Sequence, residues 1–239
     1  ADMQDLHQIA RQAVAREIHQ FNGYLDRTNL PYSSHMSEHW LRTWEYTGAI
    51  VETEVDGRMK VLDVGGTGTI FSYYLALQGC RVTTVDIDRQ KVEDALAVTP
   101  YLNLQMDHRL ASITDVAFAD EEFDRIFCIC VIEHLEPQDQ KTALARMARF
   151  LKPGGLLYMT FDIGFNAADY PIFDEEQIRD RYVIPSGLTV VGNAVYQFDA
   201  NDLNVNHPDY TFGSLMLLKP GDGVRLPLVH PQIKFINYE

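Results

Sequence analysis

The chain is short of cysteine and of cationic side chains, and it contains no long apolar run. Its three cysteines, Cys80, Cys128 and Cys130, show no metal-ligand spacing. Cys128 and Cys130 fall on one face of a predicted strand and read as small buried apolar residues in a reducing cytoplasm. Lys and Arg number 20 against 34 Asp and Glu, a formal net charge of −14. With no Lys/Arg cluster, the chain is a poor candidate for a nucleic acid backbone, which is held by cationic contacts. The balance suits a small neutral or cationic substrate, or a protein surface. No apolar run reaches the ~18 residues that a membrane span needs, and the polar, amphipathic amino terminus does not read as a signal peptide. The expected setting is the cytoplasm, away from membranes. Repeats and low-complexity stretches are also missing, so 239 residues fit one α/β domain with an extra helical segment.

What is present is concentrated between Val61 and Thr69, V-L-D-V-G-G-T-G-T. Residues of strand character run into a glycine-rich turn, Ile70 to Leu77 reads as a helix, and a second strand from Arg81 to Val85 ends in Asp86. Such a turn brings backbone close to a ligand and tolerates positive φ. The helix start after it offers unpaired N–H groups to an anion or polar ligand end. Asp86 follows Gly65 by 21 residues, near the ~20 expected for an acid that accepts hydrogen bonds from a ribose. Asp63, two residues before Gly65, would repel a pyrophosphate. It suits a ligand carrying an ammonium group, as the methionine part of S-adenosylmethionine does.

Further on, Phe123 to Cys130 reads as a buried strand, followed by V-I-E-H-L at 131–135, a helix from about Gln138 to Leu151, and a strand from Leu156 to Phe161. Five segments in order now resemble the class I S-adenosylmethionine-dependent methyltransferases: V-L-D-V-G-G-T-G at 61–68, V-T-T-V-D-I-D at 82–88, D-V-A-F-A-D-E-E-F-D at 115–124, V-I-E-H-L at 131–135 and L-K-P-G-G-L-L at 151–157. The resemblance implies an α/β fold: a doubly wound, mostly parallel seven-stranded sheet with an antiparallel last strand. A helical lid over 1–58 would precede a core over 59–239. It implies S-adenosylmethionine as cofactor, leaving as S-adenosylhomocysteine. The site would comprise Asp63, Gly65, Gly66, Thr67, Gly68 and Thr69 at the turn, Asp86 on the ribose hydroxyls and Ile87 against the adenine. Ser112 and Ile113 would lie at the adenine edge, and Cys130 at the tip of the fourth strand.

Two positions depart from the family pattern. The usual turn is D-x-G-x-G-x-G; here Thr67 and Thr69 stand at the second and third glycines, and their hydroxyls are expected near the cofactor's carboxylate. Ser112 stands where the family often has an acid, and would hydrogen-bond the adenine amino group.

Before the first strand, Leu6, Ile9, Ala10, Ala13, Val14 and Ile18 recur at helical spacing. Ser37 can cap a second helix through Trp40, Leu41, Trp44 and Tyr46. Both helices are expected over the cofactor mouth, which makes Arg42, Trp44 and Tyr46 pocket candidates. Asp88 is placed to cap the next helix, and Leu102 to Gln105 reads as a weak third strand. After the fifth strand a loop spans Gly164 to Pro171, and Asp174 can cap a helix through Ile178 to about Val183. Leu188–Val191 and Tyr210–Leu218 read as a final antiparallel pair around a loop rich in Asn and Asp.

Methyl transfer is an in-line displacement at a sulfonium carbon. Alignment alone supplies ~7–11 kcal/mol, and a base adds ~10²–10⁴-fold only where the nucleophile is protonated. His134 is the candidate base. Glu133 and His134 resemble part of the E-x-x-E-H motif with which small-RNA 3′-end 2′-O-methyltransferases bind a divalent ion, but Cys130 replaces the first glutamate, so no metal is expected. Trp44, Tyr46, Tyr170, Tyr196, His207 and Tyr210 are the substrate-binding candidates. The expected acceptor is a small molecule (a sugar, nucleotide-sugar or secondary metabolite) methylated on O or N. A protein or peptide acceptor, or a catalytically silent cofactor-binding subunit, is the alternative. The residues fix neither the acceptor nor the oligomeric state.

Overall fold

A computed structural model describes residues 3–28, 30–31, 40–164, 175–195 and 210–221. Helices α1 (Met3–Leu25) and α2 (Trp40–Glu52) precede the first strand. Then β1 (Lys60–Val64), α3 (Ile70–Leu77), β2 (Arg81–Asp86), α4 (Arg89–Tyr101) and β3 (Met106–Leu110) follow in turn. After β4 (Phe123–Ile129) come a 3₁₀ turn (Ile132–His134), α5 (Pro137–Phe150) and β5 (Leu151–Gly164). Helix α6 (Glu175–Ile178) passes through a π-helical turn (Arg179–Val183) into α7 (Ile184–Ser186). Strands β6 (Thr189–Val195) and β7 (Tyr210–Leu218) complete the order.

The strands form one sheet in the order β3-β2-β1-β4-β5-β7-β6. The first five are parallel, and β7 runs antiparallel to both β5 and β6. The period-2 alternation of the strands explains the layers. Val61, Val82, Phe127, Leu156 and Tyr158 face one apolar cluster with residues of α1, α2 and α3. Leu62, Val85, Ile126, Leu157 and Met159 face another with α5 and the π turn. A strand buried on both faces reads as a nearly continuous apolar run, which is why β1 and β4 are plain in the sequence.

Three expectations are corrected here. Residues 102–105 are not a strand: Leu102 caps α4, Asn103 is left-handed at φ 53°, and Leu104 N–H donates to Thr99 O. The third strand is the more polar Met106–Leu110, an edge strand in which only His108 is buried. Helix α1 lies on the sheet face rather than over the mouth. Its Ile18 and Leu25 share a core with Tyr46, Phe71 and Tyr158, and Arg11 pairs with Glu52 while Glu17 accepts from Tyr74. Cys130 lies past the end of β4 in a left-handed bend at φ 50°, not on the buried face with Cys128. Ser37 and Asp174 lie outside the described residues. No helix among the described residues is long and apolar enough to cross a membrane.

Candidate functional site

The sheet order reverses between β1 and β4, and a crevice outside the carboxyl ends of the strands is the ligand position of such sheets. The glycine turn lies there. Gly65 has φ 73°, and a Cβ on it would come within 2.5 Å of Val131 in the loop after β4. The turn and the β4 tip are therefore in direct contact. Gly66 packs onto the Asp63 carboxylate, 2.0 Å from where its Cβ would stand.

Asp63 is buried and turned under the turn: its Oδ2 accepts from Ser72 Oγ at 2.6 Å. Burial, with the nearby Asp86 charge, pushes its pKa up to about 7 despite that hydrogen bond. It supports the turn from below instead of reaching into the crevice. The threonines also depart from expectation. Thr67 is fully buried and its Oγ1 meets Thr84 Oγ1 at 2.7 Å; Thr84 in turn meets His108 Nδ1 at 2.8 Å, and His108 Nε2 meets Thr99 Oγ1 at 2.7 Å. Thr69 caps α3, accepting from Ser72 N–H and donating to Gly66 O at 2.8 Å. Both hydroxyls are consumed inside the fold because α3 needs its cap and the buried Thr84 and His108 need partners.

Asp86 ends β2 with one oxygen used and one open. Its Oδ1 accepts from Asp88 N–H at 3.0 Å, whereas Oδ2 is buried with no hydrogen-bond partner. Burial raises its pKa. Asp88 caps α4 by accepting from Gln90 and Lys91 N–H, which leaves Asp86 free for a ligand. Ile87 between them is 76% exposed, an apolar side chain beside an unsatisfied acid. Across β2, Ala111 N–H donates to Asp86 O, and Ser112 Oγ pairs with Thr114 Oγ1 at 2.7 Å. The Ile113 side chain packs in the core with α5, so that residue offers the crevice only main chain.

At the β4 and β5 tips, Cys130 Sγ donates to Glu45 Oε1 at 2.8 Å and Thr160 Oγ1 donates to the same oxygen at 2.6 Å. Glu45 is fully buried, with Arg42 on its other oxygen at 2.8 Å. The start of α2 is thereby pinned to the sheet tips. Tyr46 stacks on Phe71 with ring centroids 4.9 Å apart, and burial, more than the nearby Arg42, governs its phenol and keeps it protonated.

Comparison with known proteins agrees with this geometry. The family model described as a methyltransferase domain matches residues 62–159. Residues 62–159 are thus similar to a methyltransferase domain. A ubiquinone biosynthesis O-methyltransferase from Xanthomonas oryzae pv. oryzae is 33% identical over 102 residues, covering 42% of each chain; the chain thus spans less than half the length of the curated relatives it matches. In fold, the domain is similar to a [4+2]-cyclase (TM-score 0.62, 18% identity, 79% of this chain and 85% of that one). It is also similar to phosphoethanolamine N-methyltransferase 2 of Haemonchus contortus in complex with S-adenosylmethionine (TM-score 0.60, 14% identity, 76% and 53%).

Around the mouth of the crevice, the turn, Asp86, Ile87, Ser112 and Cys130 all fall on the carboxyl edge of the sheet. Trp44 is half-buried on α2, whereas Tyr170, Tyr196 and His207 lie outside the described residues. Tyr210 opens β7 opposite Gly164, and its ring is not among the described side chains. His134 is exposed at the end of the 3₁₀ turn. Its neighbour Glu133, which the sequence offered only as part of a metal motif, is turned inward with both carboxylate oxygens buried and unpartnered. Burial, with Asp162 and Glu45 nearby, raises its pKa to about 8. Glu45 and His108 belong to this mouth or its support as well; only the fold brings them there.

Proposed function

We propose that the protein is an S-adenosylmethionine-dependent methyltransferase acting on an oxygen or nitrogen of a small molecule. The observation that carries this reading is the open Oδ2 of Asp86 beside exposed Ile87. A buried carboxylate oxygen without a donor is unfavourable by ~1–3 kcal/mol, and two ribose hydroxyls are the donors that the crevice of such a sheet receives. Ile87 supplies the apolar surface for a purine, and the Ser112–Thr114 hydroxyl pair lies at the edge of the same crevice. The main chain of the turn from Gly65 to Thr69 faces the amino-acid end of the ligand, backed by Asp63.

When bound, the cofactor supplies an electrophilic methyl group and leaves as S-adenosylhomocysteine. The chain's own contribution is positioning, worth ~7–11 kcal/mol in well-aligned cases. Arg42, Trp44 and Tyr46 form one side of the acceptor mouth, with α2 as its cover; Tyr170, Tyr196, His207 and Tyr210 are the further acceptor-binding residues of this reading. His134 at the rim hydrogen-bonds the acceptor. Titration calorimetry with S-adenosylmethionine and S-adenosylhomocysteine tests the reading. Saturable one-to-one binding of both is expected, and an acceptor screen that follows S-adenosylhomocysteine release then identifies the acceptor. Absence of binding by either compound would overturn the reading.

A further inference from the structure

Among the described residues, Glu133 is the least satisfied side chain at the mouth. Neither of its oxygens reaches solvent or makes a hydrogen bond of normal geometry. The Cys130 sulfur and one carboxylate oxygen each of Glu133 and Asp162 lie within 4.8 Å of one another, at the tips of β4 and β5 beside the Gly65–Val131 contact. The neighbouring acid, Glu45, is already balanced by Arg42, Cys130 and Thr160. The glutamate left over is Glu133, and what it lacks is a cation with hydrogen to donate. Resting on the methyltransferase reading, we infer that the acceptor is an amine, bound as its ammonium between Glu133 and Asp162.

The spacing suits this group. Two carboxylate oxygens, each ~2.8 Å from one tetrahedral nitrogen, stand about 4.6 Å apart, inside the observed limit. A hydroxyl brings one donor and no charge, so it leaves the buried carboxylate largely uncompensated. A phosphate or carboxylate at this spot meets like charge from Glu45, Glu133 and Asp162.

The same residue answers the proton problem of amine methylation. Groups facing Glu133 are Glu45 of α2, Cys128 and Cys130 of β4 and its bend, Asp162 of β5 and Tyr182 of the π turn. Before the ammonium enters, burial and the neighbouring acids favour its protonated form, opposed weakly by its own N–H and that of Asp162; the ammonium displaces that proton and pairs with the carboxylate. Glu133 thus takes a proton from the ammonium and frees the nitrogen lone pair. That pair forms the new N–C bond, the C–S electron pair stays on sulfur, and the product leaves as an N-methylammonium. Glu133 then releases its proton to water.

The test uses methylammonium chloride, a probe small enough to enter irrespective of the acceptor's scaffold. In protein carrying ¹³C-labelled glutamate carboxyls and saturated with S-adenosylhomocysteine, Glu133 is the resonance that disappears in Glu133→Gln, or in Glu133→Asp if the first variant does not fold. Its midpoint is expected to fall by at least one pH unit in methylammonium chloride relative to equal sodium chloride. In matched acceptor pairs, amines are expected to turn over and their hydroxyl isosteres to be at least 100-fold poorer. Glu133→Gln is expected to lose at least 100-fold in kcat/KM with cofactor affinity within twofold. An unmoved midpoint overturns the inference. So does a midpoint moved by Mn²⁺ but not by methylammonium, equal turnover of hydroxyl acceptors, or a loss confined to His134→Ala. Any of these with intact cofactor binding leaves the methyltransferase reading standing; failure to bind S-adenosylhomocysteine removes both.

Discussion

Replacing Asp86 with Asn separates its two oxygens. Oδ1 holds Asp88 N–H at 3.0 Å, and the amide carbonyl of Asn can take over that bond; Oδ2 is buried and open, and becomes an NH₂ that cannot accept from a ribose. Hydrogen bonds to a charged group contribute ~1.5–3 kcal/mol, and each 1.4 kcal/mol is tenfold in affinity. Asp86→Asn is therefore expected to weaken S-adenosylmethionine and S-adenosylhomocysteine alike by about tenfold to 150-fold. Burial raises the pKa of Asp86 in the free chain, so removing its charge relieves a desolvation cost. The ligand-free variant should then unfold at the same or a higher temperature than wild type. Calorimetry gives the first quantity and thermal unfolding the second. A change in affinity below twofold in a folded variant would refute the ribose role. A large loss of ligand-free stability would show that the bond to Asp88 matters more than the open oxygen.

Gly66→Ala places a methyl 2.0 Å from the Asp63 carboxylate; the displaced acid and its Ser72 bond should cost about 1–3 kcal/mol, read as a lower urea midpoint. Thr84→Val leaves Thr67 Oγ1 and His108 Nδ1 without their shared partner. It should destabilise by about 1–3 kcal/mol, with an unchanged urea slope. For Asp63, the folded pKa of about 7 stands above the ordinary 3.8. Its protonated form favours folding, a contribution present at low pH and lost as pH rises through about 7. His108, held below its ordinary 6.5 by burial, acts in the opposite sense below that pH. The expected signature is thus a comparison: the wild-type melting temperature falls relative to that of Asp63→Asn between about pH 5 and pH 8. Parallel curves would show that Asp63 is ionised in the fold.

The central strands were legible because burial on both faces writes them as apolar runs, and the turn because glycine and the β2 acid stand at a fixed separation. Met106–Leu110 carries Asp107, His108 and Arg109 and so gave no such signal. The edge of a sheet tolerates polar residues, and the apolar Leu102 and Leu104 drew attention to the turn before it. The threonines were misplaced because a sequence shows which hydroxyls are near a ligand loop but not which way they rotate. Glu133 and His134 are adjacent in a single 3₁₀ turn, where no periodicity tells inside from outside. Glu45 and Asp162, from distant elements, decide that Glu133 is the one enclosed. Asp63 was legible in position but not in role, since only its contact with Gly66 shows it beneath the turn.

Three hydroxyls and one imidazole, running from Thr67 through Thr84 and His108 to Thr99, anchor the glycine turn to the outermost parallel strand and its helix. Each hydroxyl can donate or accept, so a tautomer change at His108 reverses the whole series without breaking it. The loop is held in shape before any ligand arrives, which keeps the ordering cost of binding small. Amide exchange at residues 65–69 should then be slow in the free protein and change little on saturation, while a lesion as distant as Thr99 would loosen it.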